Sequence, residues 1–234
     1  MSRRLLSCGE HAVLVELDGL DEVIALSGAV NAAVEAGDTP FVDVVDVVPA
    51  ARTLLVVVRD GTEIAPVRGA LPTLPVLARP TLSANGSAGS PGEASGPGRP
   101  HVVEILVHYD GPDLDEVAEL TGLSPKEVVA AHTQTLWQVA FSGFSPGFAY
   151  LAGGDDRLRV PRRREPRTSV AAGSVGLAGE FSAVYPRTSP GGWQLLGHTD
   201  EILWDVERRP PALLQPGSAV RFVDADIHAA GTVR

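Results

Sequence analysis

Gly143-Phe144-Ser145-Pro146-Gly147-Phe148-Ala149-Tyr150-Leu151 (GFSPGFAYL, residues 143–151) carries the G-x-S-x-G spacing of a nucleophile elbow in its first five residues. A nucleophilic Ser145 would make the chain an α/β-hydrolase, with a strand before the serine, a helix after it, and an oxyanion donor from the next backbone N–H. That next residue is Pro146, which has no N–H to give. One such donor is worth about 2.7–4 kcal/mol in the transition state. The run that follows, through Ala152-Gly153-Gly154, has neither the length nor the polar pattern of a helix. The stretch therefore reads as a strand-to-turn segment, with Phe148 and Tyr150 as walls of a cleft.

Upstream, Trp137, Val139 and Phe141 alternate with polar or small residues as a half-buried strand, and HVVEILVHY (residues 101–109) reads as another. Between them, Asp113 and Glu116 make a D-x-x-E start for a short helix with Leu114, Val117 and Ala118 on one face. Ser124-Pro125-Lys126-Glu127 is a capping box with proline at the first helical position. It predicts a helix to about His132, whose imidazole suits a helix C-terminus as a partial cation. Downstream of residue 151, short apolar runs punctuated by Gly and Pro predict a compact β-barrel or sandwich.

The N-terminal third differs. His11 to Leu17 alternates as a strand, and Val23, Ser27, Val30 and Val34 form one stripe of a helix over residues 20–36. Asp21 can cap that helix and Gly37 can end it. Two valine-rich runs, 41–48 and 53–58, read as strands. Residues 83–100 are almost entirely Ser, Gly, Ala and Pro, a composition that does not bury enough apolar surface to offset the entropy of ordering. The expected organisation is an α+β domain over residues 1–80, a flexible linker over 81–100, and a mainly β domain over 101–234.

Lys and Arg number 19 against 29 Asp and Glu, a formal net charge of -10. That balance disfavours nucleic acid and anionic membrane as partners. Cys8 is the single cysteine, which excludes a disulfide framework and fits a cytoplasmic setting. No run approaches the ~18 apolar residues of a membrane span. No H-E-x-x-H or similar ligand spacing is present, so no metal is expected.

Three stretches carry candidate chemistry. VPRRREPR (residues 160–167) sets Arg162, Arg163, Arg164 and Arg167 between and beside prolines. Two readings stand: a charged loop that resists aggregation, or an anion-recognition loop, since guanidinium forks suit carboxylates and phosphates. AGSVGLAGEFSAVYP (residues 172–186) spaces Gly173, Gly176 and Gly179 by three, which is neither a P-loop nor a dinucleotide fingerprint. It reads either as a tightly curved strand pair or as a backbone-lined pocket wall to which Ser174 adds a hydroxyl. SPGGWQLLGHT (residues 189–199) joins a turn to Trp193, read as core, and to His198, which is either structural or cleft-facing.

Taken in order, GPDLDEVAELTGLSPKEVVAAHT, GFSPGFAYL, VPRRREPRTSVAAGSVGLAGEFSAVYP, SPGGWQLLGHT and LLQPGSAVRFV resemble the B subunits of bacterial 5-oxoprolinases, a KipI-like family formerly labelled as the first subunit of allophanate hydrolase. Glu180-Phe181-Ser182-Ala183 stands where that family commonly has Asn-Gln-Thr-Gly. The resemblance implies a cyclophilin-like barrel after the α+β domain, and partners in the C and A subunits of the same enzyme. It also implies ATP-dependent opening of 5-oxo-L-proline to L-glutamate by the complex. No nucleotide motif is found in this chain. The expected substrate-binding residues are Phe148, Tyr150, Arg162, Arg167, Gly173, Ser174, Gly179 and His198. The alternatives are a KipI-like inhibitor of a sensor histidine kinase, or an accessory component of a urea carboxylase/allophanate hydrolase-type system.

Overall fold

The computed structural model describes residues 3–75 and 102–231. The linker expected over 81–100 lies outside the described residues. The chain divides into two compact units, Met1–Thr81 and Leu82–Arg234.

In the first unit, β1 (Arg4–Ser7), β2 (Ala12–Glu16), β3 (Val44–Pro49) and β4 (Thr53–Val58) form an antiparallel sheet in the order β1-β2-β4-β3. Helix α1 (Leu20–Ala36) lies on it, and a short α2 (Ala65–Ala70) follows β4. The period of two in β2 and β4 turns Val13, Val15, Leu54 and Val56 to one face, where Val23, Leu26 and Val30 of α1 meet them. Two details differ from the sequence reading. The buried stripe of α1 runs through Leu26 and Ala33 rather than Ser27 and Val34. Its N-cap is Gly19, and Asp21 sits inside the first turn; Glu22 closes the end by accepting the Asp18 N–H at 3.1 Å. Gly37 ends the helix in the left-handed region at φ 70° as expected.

The second unit holds β5 (Val102–Val107), α3 (Leu114–Thr121), α4 (Pro125–Gln134), β6 (Trp137–Ser142), β7 (Ala149–Ala152), β8 (Arg167–Val170), β9 (Ser174–Ala178), β10 (Phe181–Val184), β11 (Ser189–Gly191), β12 (Gln194–His198), β13 (Ala219–Asp224) and α5 (Ala225–Gly231). Seven strands form one sheet in the order β12-β9-β10-β7-β6-β13-β5. Just past β5, His108 exchanges backbone hydrogen bonds of 2.8 and 2.9 Å with His198 at the end of β12, so the two edges of the sheet meet and the barrel is nearly closed. β8 and β11 form a separate two-stranded ribbon.

Alternation along the strands sorts their side chains into two cores. One face of the sheet (Val103, Ile105, Val139, Leu151, Leu177, Leu196, Phe222) fills the barrel together with Val117 of α3 and Val128 of α4. The opposite face carries Ala178, Ala183, Trp193 and Leu195, packed with Phe148, Tyr185 and Val170 of the ribbon. The capping box of α4 is formed: the Glu127 N–H donates to Ser124 Oγ at 3.3 Å, and the Ser124 N–H donates to Glu127 at 2.8 Å. None of the helices is long and apolar enough to cross a membrane among the described residues.

His132 departs from the reading as a helix-end cation. It is fully buried, with Nδ1 2.8 Å from the Tyr109 hydroxyl and Nε2 2.8 Å from Ser182 Oγ. Its ring stacks on Phe222 at 4.2 Å. Burial lowers its pKa to about 3, because the charged form would lose its hydration. Packing against Phe222 overrides the helix-terminus preference.

Candidate substrate-binding face

The GFSPG stretch is two consecutive tight turns. The Ser145 N–H donates to the Gly143 carbonyl at 2.7 Å and the Phe148 N–H to the Ser145 carbonyl at 3.0 Å. Phe144 carries the strain at φ 66°, and Gly147 adopts φ 82° after Pro146. A Cβ at Gly147 would lie 2.8 Å from Trp204 Cβ, so both conformation and space require glycine there. Ser145 Oγ is buried and has no hydrogen-bond partner among the described residues, so nothing activates it as a nucleophile. The turn instead delivers Phe148 and Tyr150 onto the outward face of the sheet.

Phe148 is buried there, with ring centroids 5.5 Å from Tyr185 and 5.6 Å from Trp193. Half-buried Tyr150 stacks on Phe141 at 4.4 Å and stands 5.7 Å from Trp193. Tyr185 ties this cluster to the glycine segment: its carbonyl accepts the Gly173 N–H at 2.7 Å, and its N–H donates to the Ser174 carbonyl at 2.9 Å. A Cβ on Gly173 would run into the Thr199 carbonyl, which explains the glycine at φ 81°. Burial pushes the Tyr185 phenol above its ordinary value, while Arg162 and Arg167 pull the other way.

The four arginines of the loop divide. Arg162 is exposed, with its guanidinium carbon 6.0 Å from the centre of the Trp193 ring. Arg164 is exposed as well. Arg163 and Arg167 turn inward, each donating to Asp113 Oδ1 at 2.7 Å. Arg163 also reaches Glu116 at 3.4 Å. Of the expected site residues, Phe148, Tyr150, Arg162, Arg167, Gly173 and Ser174 thus gather around Tyr185 and Trp193. Two stand apart. Gly179 forms the β9–β10 turn and donates its N–H to the Val160 carbonyl at 2.7 Å. His198 lies exposed at the end of β12, with Nδ1 2.8 Å from Asp110 and its ring stacked on His108. Glu180 is exposed and 3.9 Å from Arg159.

Sequence reasoning missed Tyr185 and Asp113 and took Trp193 as core alone. A helix-start role explained Asp113 well enough to hide its burial. The cluster of four arginines was the signal that a buried carboxylate was needed somewhere.

The second unit is thus a nearly closed β-barrel with an aromatic outer face and an arginine edge. The carboxyltransferase domain, subdomain C and D, matches residues 3–214. The 5-oxoprolinase B subunit of Bacillus subtilis (strain 168) is 47% identical over 134 residues, 55% of this chain and 56% of that protein. The protein of the same name from Escherichia coli O157:H7 is 52% identical over 124 residues, 52% and 57% of the two chains. These matches span little more than half the length of either relative. The crystal structure of TTHA0988 superposes with a TM-score of 0.70 at 34% identity, covering 92% of this chain and 40% of that one. The chain belongs to the carboxyltransferase subdomain C and D family.

Proposed function

We propose that this chain is the B subunit of a heteromeric, ATP-dependent 5-oxoprolinase that opens 5-oxo-L-proline to L-glutamate together with the C and A subunits. The names of the relatives support this reading. The observation that carries it is the exposed Arg162 guanidinium over Trp193, beside Tyr185 and Tyr150. The substrate is a five-membered lactam with one carboxylate, and a guanidinium fork beside aromatic rings suits both parts.

In this reading Arg162 receives the carboxylate, Tyr150 and Trp193 pack against the ring, and Phe148 supports them from below. Gly173 and Ser174 hold Tyr185 in place through its backbone, and Arg167 completes the positive edge. Gly179 and His198 bound the face at its ends. The chain binds and orients the lactam; ATP is the co-substrate that makes the lactam carbonyl electrophilic. This chain offers no glycine-rich phosphate loop for it.

The barrel is read as cyclophilin-like and as docking barrel to barrel with the C subunit in a cytoplasmic complex. Arg162→Gln in the reconstituted complex is expected to raise KM for 5-oxoproline about ten- to a hundredfold, the loss of a charged hydrogen bond worth about 1.5–3 kcal/mol. An unchanged KM in a folded variant removes Arg162 from the site.

A further inference from the structure

We infer that Asp113 is a positioning residue: it holds two of the four loop arginines, Arg163 and Arg167, and so fixes the loop from which exposed Arg162 meets the carboxylate of the proposed substrate. This rests on the function proposed above. The Asp113 side chain is only 3% exposed. Its Oδ1 accepts from Arg163 Nη1 and Arg167 Nη2, both at 2.7 Å, and its Oδ2 accepts the Leu195 N–H, also at 2.7 Å. One carboxylate therefore joins the arginine loop, the first residue of β8 and strand β12. Glu116, one turn along α3, supports the same network through Arg163 and through Gln194 Nε2 at 3.2 Å.

Removing the Asp113 charge leaves two guanidinium groups without their partner. The network nevertheless leaves donors over. Arg167 Nη1 and Arg163 Nε are buried with no hydrogen-bond partner among the described residues. A buried donor left unsatisfied costs about 1–3 kcal/mol, so such a group calls for a ligand or an ordered water. Arg167, unlike Arg163, is also among the groups that act on the Tyr185 phenol. Arg167 also pairs across the ribbon with Gly191, where an added Cβ would meet the Tyr185 hydroxyl, so it joins the Asp113 network to the aromatic face.

The test combines chemical modification with kinetics on the reconstituted complex. Phenylglyoxal modification, read by mass spectrometry, should label Arg162 and Arg164 in the wild type and spare Arg163 and Arg167. In Asp113→Asn, Arg167 should become reactive. The same variant should raise KM for 5-oxoproline about tenfold, as for loss of one well-placed charged hydrogen bond, with kcat within about twofold. Should Asp113→Asn fail to fold, Arg167→Lys, which keeps the charge but loses the fork, carries the same KM and kcat expectation. Arg167 labelled as fast as Arg162 in the wild type, or an unchanged KM with kcat reduced, would overturn the inference. A wild-type complex that does not turn over 5-oxoproline would overturn the proposed function instead, and the labelling pattern would still decide the role of Asp113.

Discussion

His132 ends α4, where a cation is favoured, yet it sits fully buried between Tyr109, Ser182 and Phe222 with a pKa lowered to about 3. The folded value lies below the unfolded one of 6.5, so below pH 6.5 the unfolded chain takes up a proton that the folded chain refuses. Stability from this residue is fully present above pH 6.5 and declines as pH falls toward 3, by at most about 1.4 kcal/mol per pH unit. Urea unfolding at about pH 7.5 and about pH 5 should show this loss, and His132→Gln should flatten it. An equal pH dependence in both proteins would show that His132 is not the neutral core residue described. The same limit on reading single residues applies to Asp113. Its type and place suggest a helix start, and only the fold brings residues 50 and 54 positions away onto its oxygen. Arg162 and Tyr150 are candidates from the sequence because guanidinium and aromatic chemistry suits the proposed anionic ring, and the structure sets both beside Trp193. The division of labour among the four arginines is not legible there.

Elements are legible where their signals are local. The Ser124 capping box forms as its sequence dictates, and Ser124→Ala should cost about 0.5–2 kcal/mol in a thermal or chemical melt. The GFSPG turn can be read from Pro146, and its details follow from positive φ angles of 66° at Phe144 and 82° at Gly147. Gly147→Ala should destabilise by about 1–3 kcal/mol, because it combines an unfavourable φ with a clash against Trp204. Ser145→Ala should leave both the melt and the turnover of the complex unchanged, since Ser145 Oγ makes no hydrogen bond among the described residues. A large loss of turnover in Ser145→Ala would restore the nucleophile reading. The run 41–48 is legible as β only in part: Phe41–Asp43 forms a 3₁₀ turn and the strand begins at Val44. Valine enrichment marks a strand without fixing where it starts.

Across the chain, a division into an α+β unit and a β-rich unit is visible because hydrophobic periodicity changes from one part to the other. Closure of the barrel is not. β5 pairs in parallel with β13, Ala219 beside Val102, and the seam forms through His108 and His198; neither leaves a trace in sequence spacing. The aromatic face is likewise assembled from the GFSPG turn, the β8–β11 ribbon and the strand pair around Tyr185, so no single stretch announces it. Everything proposed for this face depends on its serving the substrate of a 5-oxoprolinase. Glutamate formation from 5-oxoproline and ATP decides this, measured on this chain co-purified with the proposed C and A subunits, wild type beside Arg162→Gln. Turnover should need all three subunits, and the substitution should raise KM about tenfold or more. No glutamate from the assembled wild-type complex would rule the role out; an Arg162→Gln variant that folds, assembles and leaves KM unchanged would remove Arg162 from the site.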